Sequence, residues 1–347
     1  MKMHRVMIAS LVVGALGLGA TVAAQAQQKV EGPKVHWNFS VWGTKRGNTM
    51  GVEELSRLLA EATNGNFTLQ IHYGEALAAA KENLDGIAIG AFETALVGPA
   101  FTPGRLPVAE GLGLPFLPLP NLHVTRLVQE AFWKHADTRQ ELARANALCL
   151  LAVPLPANEF VGKGQIPKTL ADWKGLRVRA LGGDALAMKS LGAVASNMPP
   201  PELYGSIDRG LLDAASSPYY ALAAFKLHEV SKWYTTNMAL SIGASLMAGN
   251  VKAHESLPPQ YKKLLADLAT PALDFYEKAN DEAGNAAIEA FRSKNLVPVT
   301  YSAADLESLR AIARPIWGDW VDNVTKKGYK GQELLELMLD TARRASS

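Results

Sequence analysis

From Val35 onward the chain alternates short apolar strands with amphipathic helices, and this alternation limits its fold more than any other feature. Val35 to Trp42 alternates side to side as a strand does. Gly43 ends it, and Thr49 to Thr63 sets Val52, Leu55, Leu58 and Leu59 on one helical face. Asn64-Gly65 is a turn, and Phe67 to Tyr73 is a second strand. A helix over about Ala79 to Ile89 leads to a third strand, Glu93 to Val97. Strands joined through a helix pair in parallel, so the fold class is α/β in layers.

The rest of the chain continues the pattern. Six prolines between Pro99 and Pro120 mark a long loop. Asn121 to Ala145 reads as helical and Ala147 to Val153 as a buried strand. Leu176 to Ala180, Leu211 to Ala214, Trp233 to Ala239 and Ser241 to Ala248 read as further strands. A long helical stretch carries Pro259 near its start and Pro271 as a kink, and runs to Lys294. It is long enough to cross two lobes. Ala303 to Val324 and Gly331 to Arg344 are the final helices.

The length of 347 residues exceeds one ordinary domain, which predicts two lobes. Lys+Arg total 35 and Asp+Glu 33, a balance that argues against nucleic acid as a partner. The first residues carry Lys2 and Arg5, then an uncharged apolar run from Val6 to about Ala20, then Ala24-Gln25-Ala26. That order predicts a cleavable signal peptide over 1–26 and a periplasmic location, leaving 347 − 26 = 321 residues.

Motifs of catalysis are missing. There is no H-E-x-x-H, no G-x-x-x-x-G-K-[ST] and no G-x-S-x-G. The seven histidines are scattered, with no pair at i, i+4. The lone Cys149 lies in an apolar run and reads as core. No catalytic residue, metal or cofactor is expected, and binding is favoured over chemistry.

The informative segment is Leu170 to Tyr220. On the strand Leu176 to Ala180, Arg177 and Arg179 share one face. A strand covered on both sides has little reason to carry arginine. Gly182-Gly183 then opens a helix, and ligands in open α/β sheets bind beyond strand C-termini near helix N-termini. A guanidinium there suits a carboxylate through its bidentate fork. The pattern alone does not choose between Arg177 and Arg179.

The run Thr169 to Arg179, with Asp172, Gly175 and Arg179 at its fixed points, resembles the "slaDlkGlkiR" segment of the solute-binding proteins of TRAP (tripartite ATP-independent periplasmic) transporters. Ser190 to Ala193, Met198-Pro199, Glu202-Leu203-Tyr204 and Arg209 to Asp213 are similar to motifs that follow it in that family, the dicarboxylate-binding or DctP type. Gly98 to Pro107 and Leu114-Pro115-Phe116 resemble two that precede it, and Tyr301 to Ala304 with Trp317 to Val321 its C-terminal helix entry.

The resemblance implies a two-lobe periplasmic binding protein fold, with a ligand cleft between the lobes and a long helix spanning both. The approximate division is 27–155 with 240–280 for lobe I and 156–239 with 281–347 for lobe II. It implies that Arg179 holds the ligand carboxylate, while Arg177 falls at a solvated position. Ser217 stands where the family often has Asn. A second basic residue is often found ahead of the "slaDlkG" segment, and here only Lys163 is available, near Glu159. Trp42, Phe101, Phe160, Tyr219 and Tyr220 are candidates to line the cleft. The implied function is the extracytoplasmic subunit of a TRAP transporter, a monomer that captures a small organic acid and delivers it to the membrane permease subunits. An exported hydrolase on a similar fold is the alternative.

Overall fold

The computed structural model describes residues 29–346, so the expected signal segment lies outside the described residues. β1 (Val35–Ser40), α1 (Met50–Ala62), β2 (Phe67–His72), α2 (Asn83–Ile89) and β3 (Thr94–Val97) follow the alternation read from the sequence. β1 pairs in parallel with both β2 and β3. Residues 99–120 form short turns of 3-10 helix and loop.

The helical stretch expected over Asn121 to Ala145 is divided into two helices, α3 (Leu122–Lys134) and α4 (Ala136–Arg144). The break falls at His135, whose backbone is extended and whose Nδ1 accepts from the Asp137 amide at 3.2 Å, capping α4. β4 (Ala147–Ala157) ends the first sheet as an edge strand, where Pro154 and Pro156 are tolerated.

After one residue the chain enters a second sheet with β5 (Glu159–Gly162). There follow β6 (Arg177–Arg179), α5 (Gly182–Ser190), β7 (Val194–Ser196), α6 (Leu203–Asp208), β8 (Ala214–Ser217), α7 (Tyr219–Ala224) and β9 (Trp233–Thr235). β10 (Ile242–Asn250) returns to the first sheet and inserts antiparallel between β3 and β4. Then come α8 (Val251–Glu255), α9 (Pro259–Ser293), β11 (Val297–Val299), α10 (Ala303–Lys326) and α11 (Gly331–Ser346). The first sheet has the order β2-β1-β3-β10-β4 and the second β11-β9-β5-β8-β6-β7.

Both faces of both sheets are covered. In the first lobe one face packs Phe39, Leu69 and Met247 against α1 and α9, and the other packs Ala95, Leu246 and Ala248 against α2, α3 and α11. In the second lobe Phe160, Val178 and Trp233 belong to one core, Val161, Ala215 and Tyr234 to the other.

Two helices bridge the lobes. α9 packs Tyr261 to Tyr276 in the first lobe and Ala287 and Phe291 in the second, as the length of its pattern suggested. It continues through Pro271 as one 35-residue element. α10 crosses back, from Leu309 in the second lobe to Ile316, Trp320 and Val324 in the first. α11 then packs Leu334, Leu335 and Met338 on the first lobe. The C-terminal segment therefore departs from the division that assigned 281–347 to lobe II, because the apolar face of α11 is buried against α3.

The strands also cross between the lobes at 157–159 and 235–242. Glu159 ties these crossings together. Its carboxylate accepts from the Thr235 hydroxyl, from Met238 N at 3.2 Å and from Ala239 N at 3.0 Å. Beside it Asn158 N donates to Ser241 O at 2.9 Å.

Candidate functional site

A cavity of ≈ 490 Å³ lies between the lobes, beyond the C-terminal end of β6 and at the start of α5. This is where a doubly covered α/β sheet leaves room for a ligand. Arg179, Ser217, Trp42, Phe101 and Tyr220 line it, five of the seven residues expected there.

Phe160 and Tyr219 do not line it. Phe160 is fully buried on β5 and packs on Trp173, ring centroids 4.8 Å apart. The sheet is covered on both faces, so a β5 side chain enters a core whichever way it points. Tyr219 turns toward the second-lobe core, with Phe291 at 5.6 Å and Tyr234 at 6.2 Å between centroids. Its hydroxyl donates to Thr235 O at 2.7 Å, as a buried phenol requires.

Arg179 is 2% exposed. Nε donates to Met198 O at 2.9 Å and Nη1 to Ser216 O at 2.6 Å. These neutral oxygens fix the guanidinium plane without neutralising it, and two of its five donors are used. Among the described residues no carboxylate forms an ion pair with it. Burial pulls its pKa down to about 10, so it stays charged at neutral pH, and the nearby Asp184 charge opposes that shift. Asp184 is itself fully buried in the first turn of α5. Its Oδ2 accepts from Asn158 Nδ2 at 2.9 Å and Ser216 Oγ at 3.0 Å, with the Ser241 hydroxyl close by. Burial raises its pKa to about 6, which these bonds and Arg179 counteract.

Arg177 behaves as its position implied. Its side chain is exposed and paired with Asp213, Nε to Oδ2 at 3.0 Å and Nη2 to Oδ1 at 2.7 Å. Lys163 is also turned away, its Nζ donating to Asp208 O at 2.7 Å.

One lining residue escaped the sequence reading. Arg46 follows β1 in a short turn and is 5% exposed. Nη1 donates to Trp42 O and Thr44 O, both at 2.7 Å. Its guanidinium carbon stands 5.5 Å from the Trp42 ring of the first lobe and 5.6 Å from the Phe225 ring of the second. No carboxylate pairs with it among the described residues, and its buried Nη2 has no hydrogen-bond partner. Burial lowers its pKa to about 10.

The lobes touch across the cavity. Asn197 Nδ2 donates to Ala100 O at 2.9 Å. A Cβ placed on Gly183 would stand 2.3 Å from Gly113 O and 2.7 Å from Pro115 Cδ, so the start of α5 abuts the first-lobe loop backbone to backbone.

Two α/β lobes joined by repeated crossings, with a buried unpaired cation in the cavity between them, define the class of two-lobe binding proteins. Residues 40–323 match the bacterial extracellular solute-binding proteins, family 7, and the chain belongs to that family. A monocarboxylate 2-oxoacid-binding periplasmic protein of Nostoc sp. is 25% identical over 269 residues, covering 72% of this chain and 71% of that protein. Among solved structures, a marine metagenome TRAP solute-binding protein specific for aromatic acids is 21% identical with TM-score 0.81, covering 90% of this chain and 99% of its own. The Advenella mimigardefordensis sugar acid binding protein in complex with galactonate is 19% identical with TM-score 0.80, over the same shares. The family reading drawn from the motifs and the two-lobe α/β fold both stand.

Proposed function

We propose that the chain is the extracytoplasmic receptor of a TRAP transporter, capturing a small organic acid and delivering it to the membrane permease subunits. One observation carries this reading: Arg179 is a buried cation in the interlobe cavity, oriented by two carbonyl oxygens and left without a carboxylate. A ligand carboxylate supplies the missing charge and takes the remaining donors of the fork. Trp42, Phe101, Leu181, Tyr220 and Ile242 give the same cavity apolar walls, which suit the body of the acid. A structural relative from Rhodoferax ferrireducens holds copurified benzoate.

Lobe closure around the acid completes the mechanism. The crossings at 157–159 and 235–242, tied by Glu159, serve as the hinge. The receptor acts as a monomer in the periplasm after removal of residues 1–26. Hydrolysis in this cavity would need a base hydrogen-bonded to Ser217 or Ser245, and among the described residues no histidine, carboxylate or lysine side chain bonds either hydroxyl.

The test is a thermal-shift screen over carboxylates followed by calorimetry. A ligand at 100 times its dissociation constant adds about 2.7 kcal/mol of stability, a readable rise in Tm. Binding without turnover is expected. Turnover of an ester substrate, or no response to any acid, would overturn the reading.

A further inference from the structure

We infer that Arg46 is a second ligand-recognition residue, contributed by the first lobe, and that the ligand carries a second anionic oxygen group besides the carboxylate held by Arg179. The inference rests on the proposed binding function and deepens it.

The cavity is walled by two buried guanidinium groups, one from each lobe. Neither has a carboxylate partner among the described residues. The one other buried cation among the described residues does. Arg126, also 5% exposed, is met by Glu130, Asp274 and Glu277 at 2.6 to 3.0 Å. An unpaired buried charge is costly to keep, and Arg46 adds a buried Nη2 with no partner of any kind.

The aromatic rings of Trp42 and Phe225 hold the guanidinium, but a ring face carries no net charge. Asp184 lies near Arg179 and tempers that charge. No carboxylate is among the influences acting on Arg46; its titratable neighbours are the phenols of Tyr220 and Tyr73, which burial holds above their ordinary range and so neutral. A monoanion seated on Arg179, where Asp184 already lies, would leave Arg46 without an anionic partner of its own. A second oxyanion at the Arg46 end balances it. Arg46 also touches both lobes, through Trp42 and Phe225, so an anion there favours the closed arrangement.

The experiment compares matched acids by calorimetry on the mature protein. Benzoate is set against benzene-1,4-dicarboxylate and 4-sulfobenzoate, and pentanoate against pentanedioate. In at least one set the acid with the second oxyanion should bind ~10-fold or more tightly than its partner, as charge-assisted bonds in a dry site do. Arg46→Gln should cost the acid with the second oxyanion ~10-fold or more beyond whatever it costs the monoacid, so that the preference within a set falls toward one, the contrast that separates recognition from a structural role. Should Arg46→Gln fail to fold, Arg46→Lys is measured instead, and the preference should fall because an ammonium lacks the fork. The inference is overturned if no second oxyanion strengthens binding in any set. Equal loss for both members of a set in the Arg46 variant overturns it too. Arg179→Gln should abolish binding of every acid. Retention by that variant would sink the carboxylate reading of Arg179 and leave the Arg46 ratio to be judged on its own.

Discussion

Arg177 and Arg179 stand on the same face of one three-residue strand, yet one is closed by Asp213 in solvent and the other is buried and hydrogen-bonded only to carbonyl oxygens. The difference is their distance from the strand end. Arg179 is where β6 opens into the cavity, whereas Arg177 lies at the strand's outer end.

Arg179→Ala should weaken acid binding by roughly 10²- to 10³-fold, because removing one member of a buried charge pair costs about 3–5 kcal/mol. Arg179→Lys should lose much of the affinity as well, since the planar fork is gone. Arg177→Ala breaks only a solvent-screened surface pair and should leave binding within a few-fold. Calorimetry on the three variants, with circular dichroism as a folding control, reads the contrast. Loss of binding in Arg177→Ala with retention in Arg179→Ala would show the carboxylate is held elsewhere.

Gly183→Ala tests closure. The added methyl would meet the Gly113 carbonyl at 2.3 Å, and backbone cannot step aside as a side chain can. The variant should hold the lobes apart, cut affinity by ~10-fold or more and, in small-angle scattering, lack the ligand-induced compaction expected of the wild type. Unchanged affinity and compaction would mean that this contact does not limit closure.

Phe160→Leu should separate core from cleft. The residue is fully buried against Trp173, so the smaller side chain leaves a void and costs ~1 kcal/mol or more. Affinity for the acid should not change. A lowered affinity in a stably folded variant would place Phe160 in ligand contact.

Burial raises Glu159 and Glu141 to about 7, against an ordinary 4.5. Each accepts backbone N–H groups, Glu141 from Val108 at 2.6 Å and Ala109 at 2.9 Å, but desolvation outweighs those bonds. The folded state therefore holds protons that the unfolded state releases. The contribution is fully present below the ordinary carboxylate range and is lost as pH rises through about 7. Thermal denaturation should give a higher Tm near about pH 5 than near about pH 8, and Glu159→Gln should flatten the profile. A profile that rises with pH in the wild type would contradict it.

Arg179 was legible because strand alternation, a Gly-Gly helix start and a family segment all converge on it. Arg46 was not. It lies in a turn between Gly43 and Thr49 where no periodicity operates, and its surroundings depend on Phe225, far away in sequence. Phe160 and Tyr219 were misplaced for a related reason. Alternation tells which residues share a face of β5, but with both faces covered it does not tell whether any of them reaches the cleft. β7 was missed because three residues carry too little pattern. The break at His135 depends on a cap made by a ring nitrogen, a chemistry that helical periodicity does not report.

The insertion of β10 between β3 and β4 has a consequence for how the chain acquires its shape. The first four strands of that sheet are synthesised long before the strand that joins β3 to β4, and the second sheet waits for β11 in the same way. Neither lobe can complete itself from a contiguous stretch, so the two must mature together rather than one after the other. Such long-range pairing is slow, because distant segments have to meet before either sheet is whole. A nascent chain of this topology stays unfinished until its last third has emerged.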